Sequence, residues 1–318
     1  MSALTISEDE EKRLKRIGFL NNRDTDCFSA RVITRNGRLS ASQMHSLAEA
    51  AGLFGNGTLI MTARLSVEVQ GIPYNRIEPF REYMKSNGLE TGGTGAKVRP
   101  IVSCKGSTCH YGLLDAYSLA EALHNAFFTG YHDVVLPHKF KIAVGGCPNN
   151  CVKPTLNDLG IIGQRIPGHQ PEKCQNCRDC GVVNTCPTRA AQIKNQRLEI
   201  NTDKCVHCGR CIDKCHFDVI NGYTDGYKIF IGGRWGKKQA QGRPLNRLFT
   251  DQAEVIKTVE KTILFFREQG LPGERFATTI NRIGYPVVES QILSDKILER
   301  KEEILAIDCD EAINLVRC

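Results

Sequence analysis

The run C-x2-C-x2-C occurs twice in this chain, each time with one more cysteine downstream, and no other local pattern in it restricts the fold so tightly. Cys174, Cys177 and Cys180 stand in CQNCRDC, with Cys186 after them. Cys205, Cys208 and Cys211 stand in CVHCGRC, with Cys215 after them. A tight loop that offers three thiolates can fill three corners of an iron–sulfur cubane, and the fourth thiolate arrives from the other half. This crossover predicts one 4Fe–4S cluster on Cys174, Cys177, Cys180 and Cys215, and a second on Cys205, Cys208, Cys211 and Cys186. Four-thiolate zinc is the rival reading, and the doubled three-cysteine run fits cubanes better. Two details depart from the usual bacterial ferredoxin spacing. Five residues precede Cys186 where three are usual, and His216 follows Cys215 where proline is common. Neither removes a ligand.

Seven of the fifteen cysteines remain. Cys104 and Cys109 form a C-x4-C pair in SCKGSTCHYG, and Cys147 and Cys151 form a C-x3-C pair in GGCPNNCVKP. Four thiols in two pairs are what a third cubane needs. Cys27, Cys309 and Cys318 are isolated and read as buried or idle thiols, with a redox arm at Cys318 the weaker alternative. The amino terminus, MSALTISEDEEKRLKRIGF, has no apolar core and is not a signal peptide. That predicts a cytoplasmic compartment, where thiols stay reduced and cysteines serve metal. No apolar run approaches the ~18 residues of a membrane span. The formal charge is +7, but no dense Lys/Arg stripe with interleaved aromatics accompanies it, so no nucleic-acid partner is expected.

At 318 residues the chain has room for two or three domains. DCFSARVIT reads as a strand, RNGR as a turn, and ASQMHSLAEAAGLF as a helix capped by Ser40 or Ser42. GTLIMTARLSVEVQGI alternates like one strand, and YNRIEPFREYMKSNG reads as a helix stopping at Gly88. TGGTGAK superficially resembles a dinucleotide loop, but no strand precedes it and no helix follows, so it is a plain loop. VRPIVSC and KFKIAVGGC are strands whose ends carry Cys104 and Cys147, with the helix DAYSLAEALHNAFFTGY between them. LGIIGQRI is a strand, interrupted by the ferredoxin-like segment before GYKIFIGG resumes. Helices such as DQAEVIKTVEKTILFFREQG end the chain.

The two cysteine pairs, GCPNNC, MTARLSVEVQGI and the inserted ferredoxin together resemble the siroheme-containing sulfite and nitrite reductases. The nearest form is the short, assimilatory-type or anaerobic sulfite reductase catalytic subunit with a ferredoxin insertion. The resemblance runs from about Asp26 to Ile280. It implies an α+β fold: a ferredoxin-like half-domain over 1–92, a siroheme and coupled 4Fe–4S α/β domain over 93–169 and 223–318, and a bacterial-type ferredoxin domain inserted over 170–222. The C-x4-C pair is one residue shorter than the C-x5-C of the family.

In that family four cysteines hold a 4Fe–4S cluster and the last also ligates the siroheme iron. Carried over, Cys104, Cys109, Cys147 and Cys151 hold the cluster and Cys151 is the bridge. Asn149 and Asn150 beside it suit close cofactor approach and hydrogen bonds to sulfur. The family holds its oxyanion with two arginines and two lysines, which match Arg64, Arg99, Lys139 and Lys141 as candidate catalytic residues. In a strand, Lys139 and Lys141 of LPHKFKI would face one side, as a solvated face does too. IGGRWGKKQAQGR resembles the family's glycine-rich cofactor segment and offers Arg234, Lys237, Lys238 and Arg243 to the siroheme carboxylates. Three anionic clusters and a macrocycle ringed with carboxylates also account for the basic excess.

These features imply six-electron reduction of sulfite to sulfide, with electrons entering through the two inserted clusters and reaching siroheme through the coupled one. The chain has no nicotinamide or flavin loop, so a reduced ferredoxin or a reductase subunit is the expected donor. The alternatives are a siroheme nitrite reductase, or an electron-transfer subunit of a larger complex. A chain of about half the family's longer, two-halved length predicts a homodimer.

Overall fold

The computed structural model describes residues 6–307. Cys309 and Cys318 lie outside the described residues. By contact the chain divides into two compact units. One takes the residues up to Ser103, Ala120–Ala143 and those from Thr258 on; the other takes Cys104–Leu119 and Val144–Lys257.

The first unit opens with α1 (Glu8–Arg16), capped by Ser7, whose hydroxyl accepts from the Glu10 amide. An antiparallel sheet follows, with β1 (Phe19–Asn21), β2 (Cys27–Ile33), β3 (Leu59–Met61) and β4 (Val67–Pro73) in the order β1–β2–β4–β3. β5 (Glu90–Thr91) pairs with the end of β2. Between β2 and β3 runs α2 (Ala41–Phe54), and after β4 comes α3 (Ile77–Ser86). Ser40 caps α2 through a full capping box with Gln43: each side chain takes the other's backbone amide. Phe19, Phe28, Leu47, Val69 and Phe80 are buried in the core of this layer, where Phe80 meets Phe19 and Phe54 edge to face at 6.0 and 5.8 Å.

One expectation changes here. GTLIMTARLSVEVQGI is not a single strand but the β3–β4 hairpin, with Leu59 opposite Val69 and Met61 opposite Val67. The turn has none of the glycine, proline or asparagine that marks most hairpins. Leu65 takes φ +62° in the left-handed region, and the Thr62 and Ser66 hydroxyls pair at 2.7 Å across the neck. Side-chain hydroxyls replace the usual turn residues, so the alternation of the sequence continues unbroken through the bend.

β6 (Val102–Ser103) and the start of β7 (Ile142–Gly145) also belong to this unit. Both strands are shorter than VRPIVSC and KFKIAVGGC suggested. Phe140 nevertheless bridges to Val98 in parallel and is fully buried, stacked near Phe266 and Phe276 at 5.8 and 5.5 Å. The helix α4 (Ala116–Leu123) runs on into one wide π turn, His124–Thr129.

The second unit is built on a long antiparallel ribbon, β8 (Leu159–His169) with β11 (Ile220–Ile231). Its register runs from Leu159↔Ile231 at one end to Ile220↔His169 at the other. The ferredoxin-like segment is therefore the elaborated tip of one hairpin. Within it, α5 (Gly181–Thr185) precedes a second hairpin, β9 (Ala191–Lys194) with β10 (Arg197–Ile200), turned by Asn195 and Gln196 at positive φ. β12 (Arg243–Pro244) pairs with β11, and β7 lies beside β8. α6 (Gln252–Gln269) begins in this unit, and its part from Thr258 on, with α7 (Phe276–Ile283), α8 (Tyr285–Leu293), α9 (Lys296–Glu299) and α10 (Lys301–Ala306), belongs to the first. No helix among the described residues is long and apolar enough to cross a membrane.

Replacing Ser40 by alanine removes one half of the capping box. We expect a loss of about 1 kcal/mol, read as a lowered thermal midpoint, with cofactor content unchanged.

Candidate functional site

Arg64, Arg99, Lys139 and Lys141 line one cavity of the first unit, of about 290 Å³. Each reaches it from a different local cause. Arg64 sits in the β3–β4 turn, and its Nη2 donates to the Pro100 carbonyl at 2.8 Å. Arg99 donates through Nη1 to the Gly93 carbonyl, so the TGGTGAK loop is one wall of the cavity. Lys139 and Lys141 flank buried Phe140, and that alternation turns both toward the cavity even though β7 begins only at Ile142.

Arg31 lines the same cavity and was not among the expected residues. It lies opposite Glu68 in the β2–β4 register and is ion-paired with it. Its only sequence signal is a charged residue between apolar neighbours in CFSARVIT. Thr62 and Ser66 complete a wall of small hydroxyls. Five cations around one small space, with backbone carbonyls holding two of the guanidinium groups, make a seat for a compact anion.

Cys104, Cys109, Cys147 and Cys151 come together in the second unit. β6 ends at Ser103 and β7 at Gly145, so both pairs follow strand ends as expected. Burial pushes the Cys147 thiol up, and the nearby Cys104, Cys151 and Cys109 add to the effect. The Gly146 amide donates to Cys104 Sγ at 3.1 Å. A Cβ on Gly146 would lie 2.8 Å from the Gly106 Cα, so only two facing glycines let the loops approach this closely. In GCPNNC, Asn150 takes φ +57°, and its buried Oδ1 has no hydrogen-bond partner. An orphaned acceptor beside Cys151 fits a site completed by a further group.

In the insertion, Cys186, Cys205, Cys208 and Cys211 surround one cavity, the quartet expected from the crossover. Burial pushes Cys211 up to about 11, with Cys205, Cys208 and Cys186 adding to it. At Cys186 burial also pushes upward, but donors from Ala191, Thr188 and Ala190 outweigh it and leave the thiol below its ordinary range. Cys174, Cys180 and Cys215 pack with the apolar cluster of Val182, Leu198 and Val219, while Cys177 is exposed. Among the described residues no three ligating side chains converge as a single metal ion requires. The Cys186 quartet lines one small cavity.

The glycine-rich segment after β11 lies against the loop that follows Cys151. Gly232 donates to the Asp158 carbonyl at 2.9 Å and Gly242 to the Thr155 carbonyl at 2.8 Å. A Cβ on Gly233 would meet the Thr155 carbonyl at 2.2 Å. Arg234 donates to the Lys238 carbonyl within its own hairpin, and Lys237, Lys238 and Arg243 are exposed.

The family model for the nitrite and sulphite reductase 4Fe-4S domain matches residues 94–300, and that for the nitrite/sulfite reductase ferredoxin-like half domain matches residues 21–87. The chain belongs to the nitrite and sulfite reductase family. Within this family it is 31% identical to the coenzyme F420-dependent sulfite reductase of Methanocaldococcus jannaschii over 253 residues, 79% of this chain and 38% of that protein. It is 27% identical over 268 residues to one of the subunits of the anaerobic sulfite reductase of Salmonella typhimurium, covering 75% of this chain and 74% of that one. It also matches the alpha subunit of the dissimilatory-type sulfite reductase of Allochromatium vinosum, spanning 64% of its length at 27% identity. The chain thus spans well under half of the methanogen protein. Among solved structures, dissimilatory sulfite reductase I superposes with a TM-score of 0.66 at 22% identity, over 84% of this chain and 69% of that one. The NirA protein of Mycobacterium tuberculosis gives 0.62 at 16%, over 91% and 47%. Both are likenesses of fold.

For this family member, Cys211→Ser is expected to lower bound iron by one cluster's worth in the anaerobically purified protein. Cys27→Ser, on β2, should leave iron content unchanged. Iron and acid-labile sulfide analysis checks both.

Proposed function

We propose that this chain is the catalytic subunit of a siroheme-dependent sulfite reductase, taking sulfite to sulfide with six electrons. The observation that carries the reading is the cavity of Arg64, Arg99, Lys139 and Lys141, widened by Arg31. Sulfite is a small dianion, and guanidinium and ammonium groups can hold its oxygens directly. Arg64 and Arg99 are each anchored by a backbone carbonyl, so they orient the anion rather than follow it. Lys139 and Lys141 carry protons to the oxygens that leave as water.

Siroheme, when bound, supplies the iron centre through which electrons reach the sulfur. Cys151 would hold it together with the coupled cluster, and the orphaned Asn150 acceptor and the glycine-tight loops beside it support such a group. Arg234, Lys237, Lys238 and Arg243 would meet its carboxylates. Two further 4Fe–4S clusters, on the insertion's eight cysteines, would receive electrons from a ferredoxin or a reductase subunit. Two copies of the chain would form a homodimer, with Arg64, Arg99, Lys139 and Lys141 of one copy serving the haem held by the other.

Four measurements test this. Anaerobically purified protein should show siroheme bands and reduce sulfite in preference to nitrite when both are assayed side by side. Faster nitrite turnover makes it a nitrite reductase, and clusters without haem bands make it an electron-transfer subunit. Lys141→Ala should raise KM for sulfite at least about tenfold, the loss of one charged hydrogen bond, with haem bands intact. Cys151→Ser should alter those bands and abolish turnover; full activity with an unchanged spectrum would sink the bridge. At sulfite too low for the Lys141→Ala chain to turn over, mixing it with the Cys151→Ser chain should restore some activity if the sites are shared across a dimer. Exchange of chains without recovery would refute the sharing.

A further inference from the structure

The two quartets of the insertion are not equivalent in their relation to the third. β8 measures the difference, since all three make contact along it. Gly163 marks the point of contact with the Cys104–Cys151 site: a Cβ there would meet the Gly146 carbonyl at 2.6 Å, and Gly146 in turn donates to Cys104 Sγ. Two residues on, Arg165 forms a parallel bridge with Cys208, its amide donating to the His207 carbonyl at 2.8 Å. Six residues on, His169 Nε2 donates to the Leu198 carbonyl at 3.0 Å, and the Leu198 amide donates to Cys174 Sγ at 3.2 Å. A strand rises about 3.3 Å per residue, so these contacts stand roughly 7 and roughly 20 Å from Gly163.

A second contact joins the same pair of loops. The Arg210 guanidinium, between Cys208 and Cys211, lies over the Tyr111 ring at 5.3 Å from its centroid. Tyr111 is two residues beyond Cys109. His207 Nδ1 and Gln164 Oε1 are 3.1 Å apart, pinning the Cys205–Cys208 loop to β8 once more. Arg165 is itself immobilised by two bonds to Asp225, at 2.6 and 2.7 Å, and by the Tyr223 ring. Cys174, Cys180 and Cys215 pack instead with Val182, Leu198 and Val219, the last beside the His169 end of the ribbon.

We propose that the insertion is a directional relay in which the cluster on Cys186, Cys205, Cys208 and Cys211 is the inner one, passing electrons to the Cys104–Cys151 cluster. The cluster on Cys174, Cys177, Cys180 and Cys215 is the outer one, and the exposed Cys177 lies on the side where a one-electron donor protein delivers. Arg210, Tyr111, Arg165 and Gln164 are positioning residues that fix the inner gap. Each transfer oxidises one cluster as it reduces the next, one electron at a time, and six such passages match one sulfite. The ordering rests on the reading of the chain as a three-cluster siroheme enzyme.

Low-temperature EPR of the reduced holoprotein tests it. In Cys177→Ala, which removes the outer cluster, the magnetic interaction between the remaining inserted cluster and the coupled cluster should persist. In Cys208→Ala it should vanish. The reverse pattern, or an equal interaction in both, overturns the ordering. Should a missing ligand unfold the insertion, the unmodified protein decides. During stepwise reduction, one inserted cluster should speed the relaxation of the coupled cluster and the other should not. Two equal effects overturn the proposal. Iron content short of three clusters or absent siroheme bands would mark the failure of the enzyme reading itself, separately from the order.

Discussion

The antiparallel pairing of β8 with β11 is the constraint on which the rest of the second unit depends. The Gly163↔Tyr227 and Arg165↔Asp225 pairs lie in its middle, and Ile220↔His169 closes its far end. A one-residue slip would turn every side chain to the opposite face. It would carry Gly163 away from Gly146, where no side chain fits, and Arg165 away from both Asp225 and Cys208. The ribbon thus sets the spacing between three groups of thiols that are distant in sequence. Its near end also presents the glycine-rich segment to the loop after Cys151, through backbone hydrogen bonds that need no particular side chain.

Glycine and cysteine divide the work at these contacts. The thiols are the candidate ligands, and the facing glycines at 106 and 146 let two cysteine-bearing loops approach to a distance that any Cβ would prevent. Buried thiols such as Cys147 and Cys211 resist ionisation, so a metal binding there would have to displace their protons. Cys186 differs, because several donors surround it and favour the thiolate. The first unit solves the opposite problem. It gathers positive groups, and balances their repulsion by giving Arg64 and Arg99 backbone carbonyls and Arg31 the carboxylate of Glu68.

Much of this is legible in the sequence. The eight-cysteine array, the two cysteine pairs at strand ends, the Ser40 cap and the K-F-K alternation are all local, and short-range spacing carries them. The convergence of Cys186 with Cys205, Cys208 and Cys211 on one cavity was likewise an expectation of the array. The four expected cavity residues came from a likeness of motifs, and the cavity does bring them together.

Long-range register decided what remained. The sequence by itself determined which residues could be ligands and which short segments are strands or helices. It did not reveal that GTLIMTARLSVEVQGI bends, because Thr62 and Ser66 make the turn with hydroxyls and Leu65 accepts a left-handed backbone that its side chain does not advertise. Arg31 looked like any charged residue in a strand until β2 met β4 and set it opposite Glu68 on the cavity wall. Only the tertiary structure distinguishes the two inserted arrays, whose C-x2-C-x2-C runs are alike and which differ in where they touch β8. Distance along a shared strand is a property of pairing between remote segments, and no local pattern encodes it.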